Sequence, residues 1–512
     1  MPARSSLLRL ASAGAVLSLA LVSCVGGEPT NSTPDSSVSQ NQPSASPEVQ
    51  GDLVTYYEQD IQWEPCENGV ECATVQVPLD YANPEDQNID LALNRRVSEG
   101  AKRNLLINPG GPGISGMEML TETAPYIFSD KVKREFNTVG FDPRGVGESS
   151  PVQCETDEEK DQSRQENLRA WVPEDREELV EQSKDYAKDC AQNTGDLLGH
   201  VDTVSAAKDL DIIRAVLGNE KLDYLGFSYG TFLGATYADL FPQRVGSLVL
   251  DGAMDPTITT AELDKEQAIG FEGEIDAWLQ SCLDGEQCPF DGTLEEAKMQ
   301  LQLFFAQIEN EPLVSSDGRT VPIIDFVNGF IIPLYDNSSW PMLSTAMTEA
   351  MSGNVDPILY FSDLSSSRDQ DGVYTSNADE AFVAINCLDR PMDSDPETMQ
   401  AQATELMRVA PTLGKYFSYY ALNCKEWEYP ATGTPQKLEA KGSDKILVVG
   451  TTEDPATPYK WSQSLADQLS NATLLTYEGH GHTAYGRSND CIDHAVESYL
   501  IDGKAPKEGT QC

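Results

Sequence analysis

The chain has 512 residues, with 83 Asp and Glu against 35 Lys and Arg and a formal charge of −48. Phosphate contacts need clustered basic side chains, so this balance excludes a nucleic-acid binder. It is expected to give a solvated, aggregation-resistant surface, with attraction of cationic substrates as the secondary reading.

The chain begins with Arg4 and Arg9, followed by an apolar run from Leu10 to Val22. That run is too short for a bilayer core of about 30 Å, so residues 1–23 read as a signal peptide. Leu21-Val22-Ser23-Cys24 has the form of a bacterial lipobox, which makes Cys24 the expected lipid attachment site and the membrane the partner of that lipid alone. Residues 24–52 are Ser, Thr, Pro, Gln and Asn with almost no apolar side chain, and are expected to be a disordered tether. Eleven cysteines are present, and setting Cys24 aside leaves an even ten, which favours disulfides in an exported chain. Spacing suggests Cys66 with Cys72, Cys154 with Cys190, Cys282 with Cys288, Cys387 with Cys424 and Cys491 with Cys512, although sequence alone does not determine connectivity.

Beyond the tether, apolar runs read as buried parallel strands at Asn104 to Asn108, Thr138 to Phe141, Leu222 to Phe227, Ser247 to Asp251, Lys445 to Gly450 and Ala472 to Tyr477. Amphipathic stretches such as Thr203 to Leu217 and Tyr459 to Leu469 lie between them. The alternation predicts an α/β fold, a doubly wound, mostly parallel sheet flanked by helices. Between about Asp255 and Lys445, about 185 residues show helical patterns, including Thr293 to Ile308 and Pro341 to Met351, and few strand signals. That is too long for a loop. The expected organisation is a core over 53–256 and 441–512, with a helical cap over 257–440 inserted before the acid-bearing strand and covering the carboxyl ends of the strands.

The chemistry-bearing residues fall at those strand ends. Leu222 to Phe227 runs into Gly226-Phe227-Ser228-Tyr229-Gly230, a G-x-S-x-G elbow expected to open a helix near Thr231, with Ser228 as nucleophile. A serine hydroxyl needs an imidazole to take its proton and a carboxylate to orient that imidazole, expected in the chain order serine, acid, histidine. Asp454, held extended by Pro455 after the strand 445–450, is the expected acid, with Glu453 as fallback. Gly479-His480-Gly481-His482-Thr483 opens a loop where the base belongs. His482 is the expected base because it ends the Gly-x-Gly-His pattern, and His480 is the alternative or a supporting group. His200 and His494 read as structural. A metal on His-x-His lacks a third ligand, so neither metal nor cofactor is expected. The oxyanion donors should be the amide of Tyr229 and one from the turn Asn108-Pro109-Gly110-Gly111-Pro112-Gly113.

Taken together, these motifs resemble one family. NPGGPG is similar to the HGGPG turn of proline iminopeptidases, and Asp142-Pro143-Arg144-Gly145-Val146-Gly147-Glu148-Ser149 to their D-x-R-G-x-G-x-S segment. GFSYG, Asp454-Pro455-Ala456-Thr457-Pro458 and the GHGHT loop with Cys491 and Cys512 resemble the secreted tripeptidyl aminopeptidases of Gram-positive bacteria, over residues 53 to 512. The resemblance implies an α/β-hydrolase lipoprotein with Ser228, Asp454 and His482 as triad and the amides of Gly111 and Tyr229 as oxyanion hole. Asn108 departs from the histidine of proline iminopeptidases, which fits the tripeptidyl branch. The implied activity is a serine exopeptidase releasing short N-terminal peptides. Its substrate would be a peptide with a free N-terminus, and cap carboxylates, with Glu272 and Glu274 as candidates, would meet the substrate ammonium. An envelope carboxylesterase or lipase is the alternative, since one triad cleaves both bonds.

Overall fold

The computed structural model describes residues 53–285 and 288–512; the expected signal segment, Cys24 and the 24–52 tether lie outside the described residues. Twelve strands are present among them: β1 Glu64–Pro65, β2 Glu71–Pro78, β3 Asn88–Arg96, β4 Arg103–Asn108, β5 Phe136–Phe141, β6 Leu222–Phe227, β7 Val245–Asp251, β8 Leu313–Val314, β9 Thr320–Val321, β10 Ile446–Glu453, β11 Ala472–His480 and β12 Thr510–Gln511. Ten form one sheet in the order β1-β2-β3-β5-β4-β6-β7-β10-β11-β12, antiparallel through β3 and parallel from β5 onward. Every residue of β6 is buried, as are the first six of β10, because helices cover both faces of the parallel part.

On one face, helices Thr203–Val216, Tyr229–Leu240 and Tyr459–Gln468 bury Leu210, Ile213, Leu233, Tyr237 and Leu465 against Tyr224, Leu250 and Val448. On the other, the segment from Gly116 to Glu135 and the helix Asp490–Asp502 bury Leu120, Val132, Ile492 and Val496 against Ile107, Leu225 and Val449. Alternate residues of one strand thus serve two cores, which is why the strands read as continuous apolar runs rather than as alternating ones.

After β7 the chain leaves the sheet for a helical region with its own core of Trp278, Phe305, Phe326, Phe330 and Met347. Capping boxes start two of its helices, Thr259 with Glu262 before Thr260–Leu283, and Thr293 with Glu296 before Leu294–Asn310. The short hairpin β8–β9 interrupts the otherwise helical insertion.

One boundary differs from the sequence reading. Helix Asp157–Arg164, expected within the core, pairs with the insertion instead: Arg164 with Asp325, Lys160 with Glu380, and Asp161 with Arg368. Helix Pro173–Thr194 is shared, burying Ala187 and Cys190 in the sheet's core while Leu179 and Val180 pack against Met399, Tyr419 and Leu422 of the insertion. The contacts of Asp157–Arg164 with the insertion are ion pairs and polar hydrogen bonds, and none of its residues is buried, so no apolar stripe marked it as part of the cap. All five cysteine pairs suggested by spacing are bonded.

Candidate active site

The parallel strands deliver their carboxyl ends to one edge, and the expected site residues meet there. Ser228 sits between β6 and the helix Tyr229–Leu240 with φ 54° and ψ −123°, a conformation that costs a non-glycine residue energy. Its amide donates to the Asp251 carbonyl at 2.9 Å. A Cβ on Gly226 would lie 2.4 Å from the Gly230 carbonyl oxygen, so the pinch around the serine requires glycine there. The helix opens at Tyr229, two residues earlier than expected, because the left-handed serine itself ends the strand.

The NPGGPG turn follows β4, the neighbour of β6. A Cβ on Gly110 would fall 2.6 Å from the Phe227 carbonyl oxygen and 3.1 Å from the Tyr229 nitrogen, so this glycine lets the turn lie directly on the elbow. Asn108 Oδ1 accepts from the Gly110 amide at 3.0 Å and shapes the turn. Among the described residues neither the Gly111 nor the Tyr229 amide donates to a protein acceptor, which leaves both for a ligand oxygen. Asp142 accepts from Ser115 Oγ at 2.6 Å and from the amides of Met117 and Glu148, tying the D-x-R-G segment to the residues just after that turn.

Asp454 follows β10 and is buried. Its oxygens accept from the amides of Ala456, Thr457 and Thr483 at 3.0, 2.8 and 3.1 Å, and from Thr457 Oγ1 at 3.1 Å. His482 Nδ1 lies 2.9 and 3.0 Å from the two carboxylate oxygens, which assigns the proton to Nδ1 and leaves Nε2 for the cavity. Ser228, His482 and Gly111 line one cavity of about 1410 Å³. Among the described residues the Ser228 hydroxyl makes no hydrogen bond to protein, as is common before substrate aligns the pair.

His480 takes a different partner. It is the last residue of β11 rather than part of the loop, because β11 stays paired with β10 out to Glu453 across a bulge. Its Nδ1 lies 3.0 Å from Glu274 Oε1, while His482 faces Asp454, so the two histidines diverge to separate carboxylates. Burial pushes the Glu274 carboxyl up to about 7. Among the described residues, no group of three or more His, Cys, Asp and Glu is arranged to hold a metal. Glu453 offers its backbone carbonyl to Gly481, and neither His200 nor His494 lines the cavity.

The expected ammonium partners are corrected by the structure. Glu272 accepts from the amides of Thr412 and Leu413, from the Thr412 hydroxyl and from Lys298, and Glu274 is taken by His480; neither lines the cavity. Both lie on faces of Thr260–Leu283 turned toward other parts of the protein. The carboxylate of that helix that does line the cavity is Asp264, one turn from its start. Burial raises Asp264 to about 7, the nearby Arg390 opposes that shift, and the carboxylate has no hydrogen-bonded partner among the described residues. Arg390 is buried, donates Nη1 to the Ile258 carbonyl and leaves Nη2 without a partner.

Three further residues escaped the sequence reading. Thr457 bridges Asp454 and His482, its Oγ1 lying 3.3 Å from Nδ1. Asp251, at the end of β7, accepts from the amides of Ala484 and Tyr485 just beyond the histidine; burial raises it to about 6. Its place at the carboxyl end of a parallel strand was the available signal. Tyr335 accepts the His482 amide on its carbonyl at 2.8 Å, and nothing in the local sequence announces that contact.

Comparison with known proteins agrees with this architecture. A family model described as TAP-like protein matches residues 410–512. The serine protease Hip1 of Mycobacterium tuberculosis is 35% identical over 482 residues, spanning 89% of this chain and 91% of the relative. Carboxylesterase B of the same species is 34% identical over 448 residues, 86% of each chain, and the tripeptidyl aminopeptidase of Streptomyces lividans is 28% identical over 468 residues, 88% and 86%. The extent and identity of these matches, on a parallel sheet that gathers serine, carboxylate and histidine at one edge, mean that the chain belongs to the family of TAP-like α/β-hydrolases that includes the serine protease Hip1.

Proposed function

We propose that this protein is a serine exopeptidase that releases short, tripeptide-type N-terminal peptides, with Ser228, His482 and Asp454 as its triad. The observation that carries the reading is the cavity itself: its wall holds Ser228 and His482 and also Asp264, a carboxylate without a hydrogen-bonded partner among the described residues, and Arg390, whose Nη2 has none. Partial burial in the wall disfavours the charged form of Asp264, and a bound ammonium would offset that cost. The substrate's N-terminus is the ammonium every free peptide carries. Arg390 would donate to a neighbouring peptide carbonyl.

In the mechanism, Ser228 Oγ attacks the scissile carbonyl carbon while His482 Nε2 takes the hydroxyl proton. Asp454 stabilises the imidazolium and holds its orientation. The amides of Gly111 and Tyr229 receive the developing oxyanion. His482 then gives the proton to the leaving amine, and the C–N bond breaks to leave an acyl-enzyme. Water, activated by the same imidazole, releases the peptide acid and returns the proton to Ser228. Hydrolysis rates on a tripeptide with a chromogenic amide and on short-chain esters test the reading. Strong preference for the peptide is expected, whereas strong preference for the esters would replace it with a carboxylesterase.

Residues 1–52 support a location. Lipidation at Cys24 and a polar tether would hold the catalytic body at the outer face of the cell membrane. Cys24→Ala should release protein to the medium or leave precursor, and unchanged detergent-extractable membrane association would contradict it.

A further inference from the structure

The turn that carries His482 is held from two sides, and one side is the cap. From the core, the Gly481 amide donates to the Glu453 carbonyl at 3.1 Å, and Arg487 donates to the carbonyls of His480 and His482 at 3.1 and 2.8 Å. From the cap, Glu274 Oε1 faces His480 Nδ1 at 3.0 Å, and the Tyr335 carbonyl takes the His482 amide. The cap aromatics follow the same division. The Trp340 ring packs edge-on against His480 at 5.4 Å between centroids, and the Tyr335 ring against His482 at 5.5 Å. Between the histidines, Gly481 has φ 99°, and a Cβ there would lie 2.9 Å from both the Tyr335 carbonyl oxygen and the Arg487 guanidinium. The cap and the turn therefore touch without room for a side chain.

The geometry points to Glu274 and His480 as positioning residues for the base: the cap carboxylate, through His480, fixes the turn that aims the His482 imidazole, so the base is competent while the cap is seated. Glu274 is suited to this because its side chain is only 2% exposed, and besides its bond to His480 the Gly481 amide of the same turn also acts on its carboxylate. Losing that bond would free His480 and, one residue on, the imidazole whose Nε2 must meet Ser228; a misplacement of about 1 Å is enough to cost catalysis heavily. The inference rests on His482 being the base, and it holds whether the acyl donor is a peptide or an ester.

The test uses the full-length protein and two readouts: kcat and KM on a tripeptide amide, and the rate of fluorophosphonate labelling of Ser228, which needs no peptide recognition. Glu274→Ala and His480→Phe are each expected to lower kcat and the labelling rate by about tenfold, with KM within about threefold. The double variant should be no worse than either single one, since the two act as one unit. Glu274→Gln keeps an acceptor for His480 and should recover most of the rate. His480 is 37% exposed, so the phenylalanine keeps the Trp340 contact without crowding; if Glu274→Ala fails to fold, the Phe and Gln variants carry the test. Wild-type kcat and labelling in folded variants, or losses that multiply in the double variant, would overturn the proposal. Undiminished labelling of His482→Ala would instead overturn the assignment of the base.

Discussion

Two parts of the cavity wall are built on opposite principles. Around the triad the carboxylates are fully engaged: Asp454 accepts from three amides, a hydroxyl and His482, and Asp251 accepts from the two amides after Thr483. Elsewhere in the same wall Asp264 lies near Arg390, and neither the carboxylate nor Nη2 has a hydrogen-bonded partner among the described residues. A saturated site is preorganised, so no reorganisation energy is spent when charge develops on the substrate. An unsaturated one is poised for a ligand that completes it. The chemistry is therefore fixed by the protein alone, while recognition is left for the substrate's charge to finish.

The largest expected effects test the saturated part. Ser228→Ala and His482→Ala should each lower kcat by about 10⁴-fold or more, because triad members act as a unit, with thermal unfolding unchanged for the serine variant. Asp454→Asn should cost about 10⁴-fold by favouring the wrong tautomer of His482. His480→Ala should lose far less, and the reverse ranking of the two histidines in steady-state assays would move the base.

Next come the carboxylates of the helix Thr260–Leu283. Glu272→Gln should leave amine selectivity untouched but destabilise the fold by about 1 to 3 kcal/mol in denaturant titrations, because it removes one of the two carboxylates that Lys298 pairs with and weakens the bonds from Thr412 and Leu413. A change in amine selectivity with stability unchanged would restore Glu272 as a binding residue.

The smallest effect is on pH dependence. Burial holds Asp251 at about 6 and Asp264, Asp389, Glu155 and Glu274 at about 7, above their ordinary range. A group that binds its proton more tightly folded than unfolded stabilises the fold fully below its unfolded pKa, about 4, and that contribution is lost as pH rises through the folded value. The apo protein should therefore unfold a few degrees higher near pH 5 than at pH 8. A Tm that rises between these values would contradict the arrangement.

The core was legible because its strands are buried on both faces and end in residues with demanding conformations. GFSYG, NPGGPG and Asp454-Pro455 mark a pinch, a close approach and an extended carboxylate, and each of these is a local property. The cap was legible only as helix. Which face of Thr260–Leu283 meets the cavity depends on the tertiary arrangement, and that is why the sequence pointed to Glu272 and Glu274 while Asp264 of the same helix went unnamed. Tyr335 reaches His482 through its backbone carbonyl, a contact no side-chain identity encodes. Helix Asp157–Arg164 joined the cap through ion pairs whose partners lie more than 150 residues away.

The central claim is that the unsaturated part reads the substrate's ammonium, and one ratio tests it: kcat/KM for a tripeptide amide with a free N-terminus over that for its acetylated twin, in the wild type and in Asp264→Asn. A charge-assisted hydrogen bond of about 1.5 to 3 kcal/mol predicts a ratio of about tenfold or more in the wild type. In Asp264→Asn the ratio should fall toward one through loss of the free-amine rate, with the acetylated rate unchanged. Equal rates on both peptides in the wild type, or a ratio that survives Asp264→Asn intact, would contradict the account.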